Sequence, residues 1–177
     1  MKKERLQEKY FCARAGCIKN KERRIAIHAK LIAMKDRQLV HYGFRFEPES
    51  FDQELRVKKF APGWGLTCAS FVVAILHSVG VKVADLATWD PKRLGDEEWQ
   101  NKFIGHLKSR YGEAYASSVE KFVPSIRVRP GEAGACVASA DVPLSCRTAE
   151  KLAAAILEAI NALALSPKGP SGRLGDR

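Results

Sequence analysis

The segment that most restricts this chain's fold is residues 63–80, GWGLTCASFVVAILHSVG. Two glycines, Gly63 and Gly65, give the backbone freedom for a turn, and Thr67 then offers a hydroxyl that can accept a bond from an unpaired amide of a first helical turn. Phe71, Val72, Ile75, Leu76 and Val79 follow at helical spacing, and Gly80 supplies a stop. A helix this apolar has to be covered by the rest of the chain. It also carries one cysteine, Cys68, in its first turn.

Enough chain is available to cover it. With 177 residues, 46% of them hydrophobic, the sequence can bury one core, and it is short for two independent ones. Residues 25–166 read as a single domain. No run approaches the roughly 18 apolar residues of a membrane span, and the charged N-terminus has no apolar signal-peptide core. A cytoplasmic location and no transmembrane segment are therefore expected.

Charge is unevenly distributed. Residues 1–24 hold nine Lys and Arg against three Glu, most of the chain's net charge of +10. They read as a basic, flexible arm, and residues 2–24 could touch nucleic acid or an anionic surface by weak nonspecific attraction. Residues 167–177, PKGPSGRLGDR, read as a disordered tail.

Between these ends the pattern predicts an α+β fold. RIAIHAKLIA, from Arg24, alternates Ile25, Ile27, Ala29 and Leu31 against His28 and Lys30, as a strand does. LVHYGFRF, residues 39–46, alternates likewise, and an antiparallel meander would join the two through MKDRQ. ELRVKKF, residues 54–60, gives a third short strand. After the apolar helix, Asp96, Glu97 and Glu98 open another carrying Trp99, Phe103, Ile104 and Leu107. A short helix over 113–122, a strand at 125–130, a short helix from Pro130 and an amphipathic helix over 148–165 complete a small antiparallel sheet packed against helices.

The chemistry centres on Cys68. A thiol in the first turn of a helix meets the positive end of the macrodipole and unpaired amides, which favour thiolate and could hold an oxyanion. A nucleophile also needs a base. His77 is nine residues further along the same helix, about 13 Å at 1.5 Å per residue, and out of reach. His106 reads as a surface residue of its helix. His28 and His41 sit on the two early strands, where antiparallel pairing would bring them together. The competing reading makes Cys68 a small buried residue at a helix start.

The stretches IAIHAKLIAMKDRQLVHYGF and CASFVVAILHSVG resemble the circularly permuted branch of the NlpC/P60 papain-like hydrolases, which includes lecithin retinol acyltransferase-like proteins. In that branch a strand histidine, and a second histidine or polar residue on the next strand, precede a cysteine that opens a helix, and Cys68-Ala69-Ser70-Phe71-Val72 is similar to its cysteine motif. The resemblance implies a papain-like fold, Cys68 as nucleophile, one of His28 and His41 as base and the other as its orienting partner. Trp64, Thr67 and Ser70 are then expected at the substrate, a small molecule, a peptide or a lipid acyl chain. The longer stretch GLTCASFVVAILHSVGV, with the later TWD and DEEWQ, also resembles an uncharacterised bacterial family with no attached activity.

The expected function is a cysteine hydrolase or acyltransferase acting on an amide or ester. A non-catalytic module whose basic arm engages nucleic acid or anionic lipid is the other class. Cys12 and Cys17, four residues apart in between, could be half a zinc site, but Cys136 and Cys146 do not complete the spacing, so no metal is expected. No phosphate-binding glycine loop occurs, and no cofactor is expected. Trp64, Trp89 and Trp99 are read as packing anchors, any of which could wall a groove near Cys68.

Overall fold

A computed structural model describes residues 15–35, 40–45, 47, 50–51 and 62–164. Six α-helices are seen there: α1 (Lys21–Lys35), α2 (Cys68–His77), α3 (Asp96–Tyr111), α4 (Glu113–Glu120), α5 (Pro130–Ala138) and α6 (Cys146–Ala164). Among the described residues there is no β-strand, only isolated bridges such as Arg45 with Trp64 and Ala84 with Leu144. The α+β, papain-like expectation with an antiparallel sheet is thereby corrected. The fold of the described residues is helical, and no helix in them is long and apolar enough to cross a membrane.

Each expected strand fails for a local reason. The first is α1. Asn20 ends the preceding segment, and its side-chain oxygen accepts from the amides of Glu22 at 2.7 Å and Arg23 at 3.3 Å, which caps a helix. Ala26, Ala29, Leu31 and Lys21 favour helix once started, and the Ile25–Ile27 alternation is overridden. Ile27 is buried, whereas Ile25, Leu31, Ile32 and His28 are exposed.

The second expected strand contains residues 40–45, which are irregular, with a bend at Phe44 and an isolated bridge at Arg45. The Leu66 amide donates to the His41 carbonyl at 2.9 Å and the Gly65 amide to that of Arg45 at 3.3 Å. Here two backbones cross at contact: a Cβ on Gly43 would lie 2.7 Å from the Gly65 nitrogen, and one on Gly65 would lie 2.5 Å from the His41 oxygen. The third, residues 54–60, lies outside the described residues.

The fourth expected strand, 125–130, is a connector whose backbone groups are satisfied by side chains. Gln100 donates to the Ser125 carbonyl at 2.8 Å and accepts from its amide at 3.0 Å. Arg93 donates to the Arg127 carbonyl, and Glu132 accepts from the Arg129 amide at 2.8 Å. Buried backbone must be paired somewhere, and these side chains replace the neighbouring strand a sheet would supply.

The helices read from sequence are observed within a few residues of their expected ends. α2 is the central one: Ala69, Val73, Ala74, Ile75 and Leu76 are buried, and the main core gathers Leu66, Val81, Val83, Trp89, Val128, Ala133 and Ala149 around it. α5 packs on both α2 and α6, and α3 on α4. The α3–α4 pair closes a second cluster through Phe44, Leu107, Ala116 and Val119, with Tyr42, Trp99 and Phe103 beside it. Residues 1–14 and 167–177 lie outside the description. Residues 15–18 pack on α5, with Cys17 buried and its amide donating to Val137.

An ion network ties these helices together. Arg93, just before α3, binds Asp96 through Nε at 3.1 Å and Nη2 at 3.0 Å, Glu132 of α5 at 2.8 Å and Glu150 of α6 at 2.9 Å. Its Nη1 also reaches the Cys146 sulfur at 3.0 Å. Asp96, whose side chain is 1% exposed, accepts further from Arg127 and Arg129, each at 3.0 Å. Burial disfavours the Arg93 charge, but the hydrogen bond and charge of Glu132 and the charge of Asp96 outweigh it, so its pKa is raised. Removing Asp96 leaves Arg127 charged without an acid partner and the three guanidiniums in excess of the remaining carboxylates in a largely buried setting. Asp96→Ala is therefore expected to cost about 3–5 kcal/mol, read as a lowered urea midpoint with an unchanged m-value.

Candidate functional site

The entry to α2 is built from a reciprocal cap. Thr67 Oγ1 accepts from the Ser70 amide at 3.1 Å, and Ser70 Oγ accepts from the Thr67 amide at 2.7 Å. Both hydroxyls, expected at the substrate, are thus engaged with the helix start, and Ser70 is buried. The cap leaves the amides of Cys68 and Ala69 at the head of the helix with no intrahelical acceptor.

Cys68 is exposed, whereas Cys17, Cys136 and Cys146 are buried. The packing role of a small buried residue therefore falls to those three and not to Cys68. Its side chain opens on a groove of about 410 Å³ between α2 and α5, lined by Ala69, Val72, Pro130, Ala133, Gly134 and Val137 among others. Among the described residues no charged or polar side chain other than the thiol lines this groove. A Cβ placed on Gly134 would meet nothing within 4 Å, so the groove is open at that point.

The two histidines end up in different settings. His28 is exposed on α1, and the strand pairing that would have set it beside His41 does not exist. His41 is exposed on the irregular 40–45 segment, and its carbonyl accepts from the amide of Leu66, two residues before Cys68. Its ring leans on Tyr115 at 6.4 Å, and the Tyr115 hydroxyl donates to the Tyr42 carbonyl at 2.6 Å. Burial raises the pKa of the Tyr42 phenol, the charge of Cys68 raises it further, and Arg127 opposes both.

Trp64, expected to wall the substrate site, packs edge-on against Phe122 at 6.5 Å, with the Arg45 guanidinium 4.3 Å from its ring centre. Trp89 is buried and directs its indole N–H at Glu132, 3.4 Å away. Trp99 stacks on Phe103. None of the three lines the Cys68 groove. Among the described residues no three His, Cys, Asp or Glu side chains are gathered to hold a metal, and Cys12 lies outside them.

Comparison with known proteins finds no matching family model, no similar curated protein and no similar solved structure.

Sequence reasoning passed over two features. Tyr42 was one of several alternating residues, with no signal that it would stack on Phe103 of α3. The ion network did leave a signal, Arg93 and Asp96 in one Arg-x-x-acid spacing and Arg129 and Glu132 in another, which is how one helical turn begins with a paired charge.

The buried thiols differ chemically from the exposed one. Burial pushes Cys136 up to about 11, with the charges of Glu132, Cys17 and Cys146 adding to it, and burial likewise raises Cys17 and Cys146. In a Cys12→Ser background, iodoacetamide should modify Cys68 alone in the native state. The other three should react at least about a hundredfold more slowly, because they wait on opening of the core. Peptide mapping after timed quenching reads this directly.

The raised Cys136 value also has a sign. The thiol ionises near 9.0 when unfolded but near 11 in the fold, so its contribution to stability is intact below pH 9 and is lost as pH rises towards 11. Urea midpoints followed across that window should fall less steeply in Cys136→Ala, by the slope of one proton.

Proposed function

We propose that the chain is a thiol hydrolase or acyltransferase with Cys68 as nucleophile and an apolar acyl group as the part of the substrate it holds. The observation that carries this reading is the setting of Cys68: an exposed sulfur at the head of a capped helix, opening on an apolar groove, while every other described cysteine is buried. The similarity of the Cys68–Val72 stretch to the cysteine motif of the NlpC/P60 hydrolases supports the same assignment.

The reaction needs four elements. A base takes the thiol proton, and His41 is favoured for this over His28 because its backbone is bonded to the approach to α2. The thiolate attacks the carbonyl carbon of an ester or thioester, and the displaced electron pair moves to the oxygen. The unpaired amides of Cys68 and Ala69 donate to that oxyanion. The intermediate then collapses, the leaving group departs with the proton from the histidine, and an acyl-thioester remains on Cys68. Water or an acceptor alcohol or amine attacks this thioester, with His41 taking and returning one proton, and the free thiol is restored.

The groove supplies substrate preference. Each buried methylene contributes about 0.8 kcal/mol, so a chain that fills the α2–α5 groove is favoured over acetate. With p-nitrophenyl octanoate the expected result is a burst of one equivalent of nitrophenolate and an octanoyl adduct on Cys68 by mass spectrometry. Cys68→Ala should abolish both, and His41→Ala should slow the burst by about 10²–10⁴. Gly134→Leu, which grows into open space, should erase the preference for octanoyl over acetyl esters while leaving acetyl turnover intact. A burst of equal size in Cys68→Ala would sink the proposal.

A further inference from the structure

Phe103, His106, Leu107, Arg110 and Tyr111 stand at i, i+3, i+4, i+7 and i+8 along α3, and so form one stripe down its second half. Leu107 is buried at the base of the stripe, against the cluster shared with α4. Above it the stripe is not closed over. With Tyr42 it walls a cavity of about 580 Å³, within the size range of small-molecule sites.

The wall is aromatic. Phe103 is stacked on Tyr42 at 4.6 Å and on Trp99 at 5.3 Å, and His106 meets it edge-on at 6.0 Å. Tyr111 is 54% exposed, although its ring packs on Tyr115 at 5.3 Å. Among the described residues no carboxylate lines the cavity.

Its cation is also uncommitted. Lys102 and Lys108 on the same helix are paired with Glu98 and Glu113. Arg110 has no acid partner among the described residues and lies only over the ring of its neighbour Tyr111, at 5.7 Å. The carbonyl end of α3 would by itself repel an anion. However, α4 starts one residue after the Gly112 junction, so its amide end meets the same corner and offsets that effect. The guanidinium is left as the charge that an entering molecule meets.

We infer that this cavity binds a planar aromatic anion, its ring against Tyr42, Phe103 and Tyr111 and its acid group on Arg110. The inference is separate from the thiol chemistry, since Cys68 does not line the cavity.

Calorimetric titration of the full chain tests it with two acids and their uncharged counterparts: 2-naphthoate against 2-naphthalenemethanol, and adenosine 5′-monophosphate against adenosine. At least one acid should bind saturably and about tenfold more tightly than its neutral partner, the worth of one charge-assisted contact. Which acid does so distinguishes an aryl carboxylate from a nucleotide. Arg110→Gln should remove that difference, and Tyr111→Ala should weaken acid and neutral forms alike. Both residues are exposed, and matched melting curves check that the variants fold. Cys68→Ala should bind as the parent does. Equal binding of acid and neutral forms, indifference to Arg110→Gln, loss of binding in Cys68→Ala, or no saturable binding of either acid below about 1 mM would each overturn the inference.

Discussion

The described structure depends on one guanidinium. Arg93 lies outside every helix, yet its donors reach Asp96 at the start of α3, the Arg127 carbonyl in the connector, Glu132 in α5, and Cys146 and Glu150 in α6. A planar fork with five donors can hold that many partners at fixed angles, which a lysine ammonium cannot do. Charge balances around it, with Arg93, Arg127 and Arg129 facing Asp96, Glu132 and Glu150. No buried side-chain nitrogen or oxygen among the described residues is left without a partner. A network with every member satisfied favours one arrangement of the helices over its neighbours, and a half-satisfied one would not.

That arrangement sets the walls of the Cys68 groove. Glu132 fixes the first turn of α5, whose next turns carry Ala133, Gly134 and Val137 along one side of the groove, while α2 forms the other. The α5–α6 contact is close because Gly131 faces Ala153, where an added Cβ would come within 3.3 Å of the alanine methyl. Charge on one side of α5 and small residues on another thus hold it against both α2 and α6, and the groove keeps its width without any group of its own to prop it open.

Much of this was legible where local signals agreed. Thr67 caps α2, the acids at 96–98 open α3, Pro130 opens α5 and Gly80, with φ of +75°, ends the α2 segment, as the sequence suggests. The sheet was misread because period-two alternation in 25–31 competes with a helix cap at Asn20 and several good helix formers, and the cap prevails. In the 125–130 segment Arg129 is extended and Pro130 already opens α5, but the sequence offers no hint that Gln100, Arg93 and Glu132 would take the place of a neighbouring strand. Such partners are distant in the chain and chemically ordinary. Of the candidate site, the place of Cys68 in the first turn of α2 was legible in the sequence. Its exposure depended on tertiary packing, and the pairing of His28 with His41 on neighbouring strands was lost with the helix that forms over 21–35.

Arg127 connects the network to the opposite side of the fold. Its guanidinium pairs with Asp96 and also lies 3.7 Å over Trp99, whose ring stacks on Phe103, which in turn stacks on Tyr42. These four side chains form a continuous column from the buried ions to the aromatic cavity. A wall built this way is preorganised: Phe103 is stacked on Tyr42 and Trp99 before anything enters. A guest there would order Arg110 and Tyr111 but not the wall behind them, which lowers the conformational entropy lost on binding.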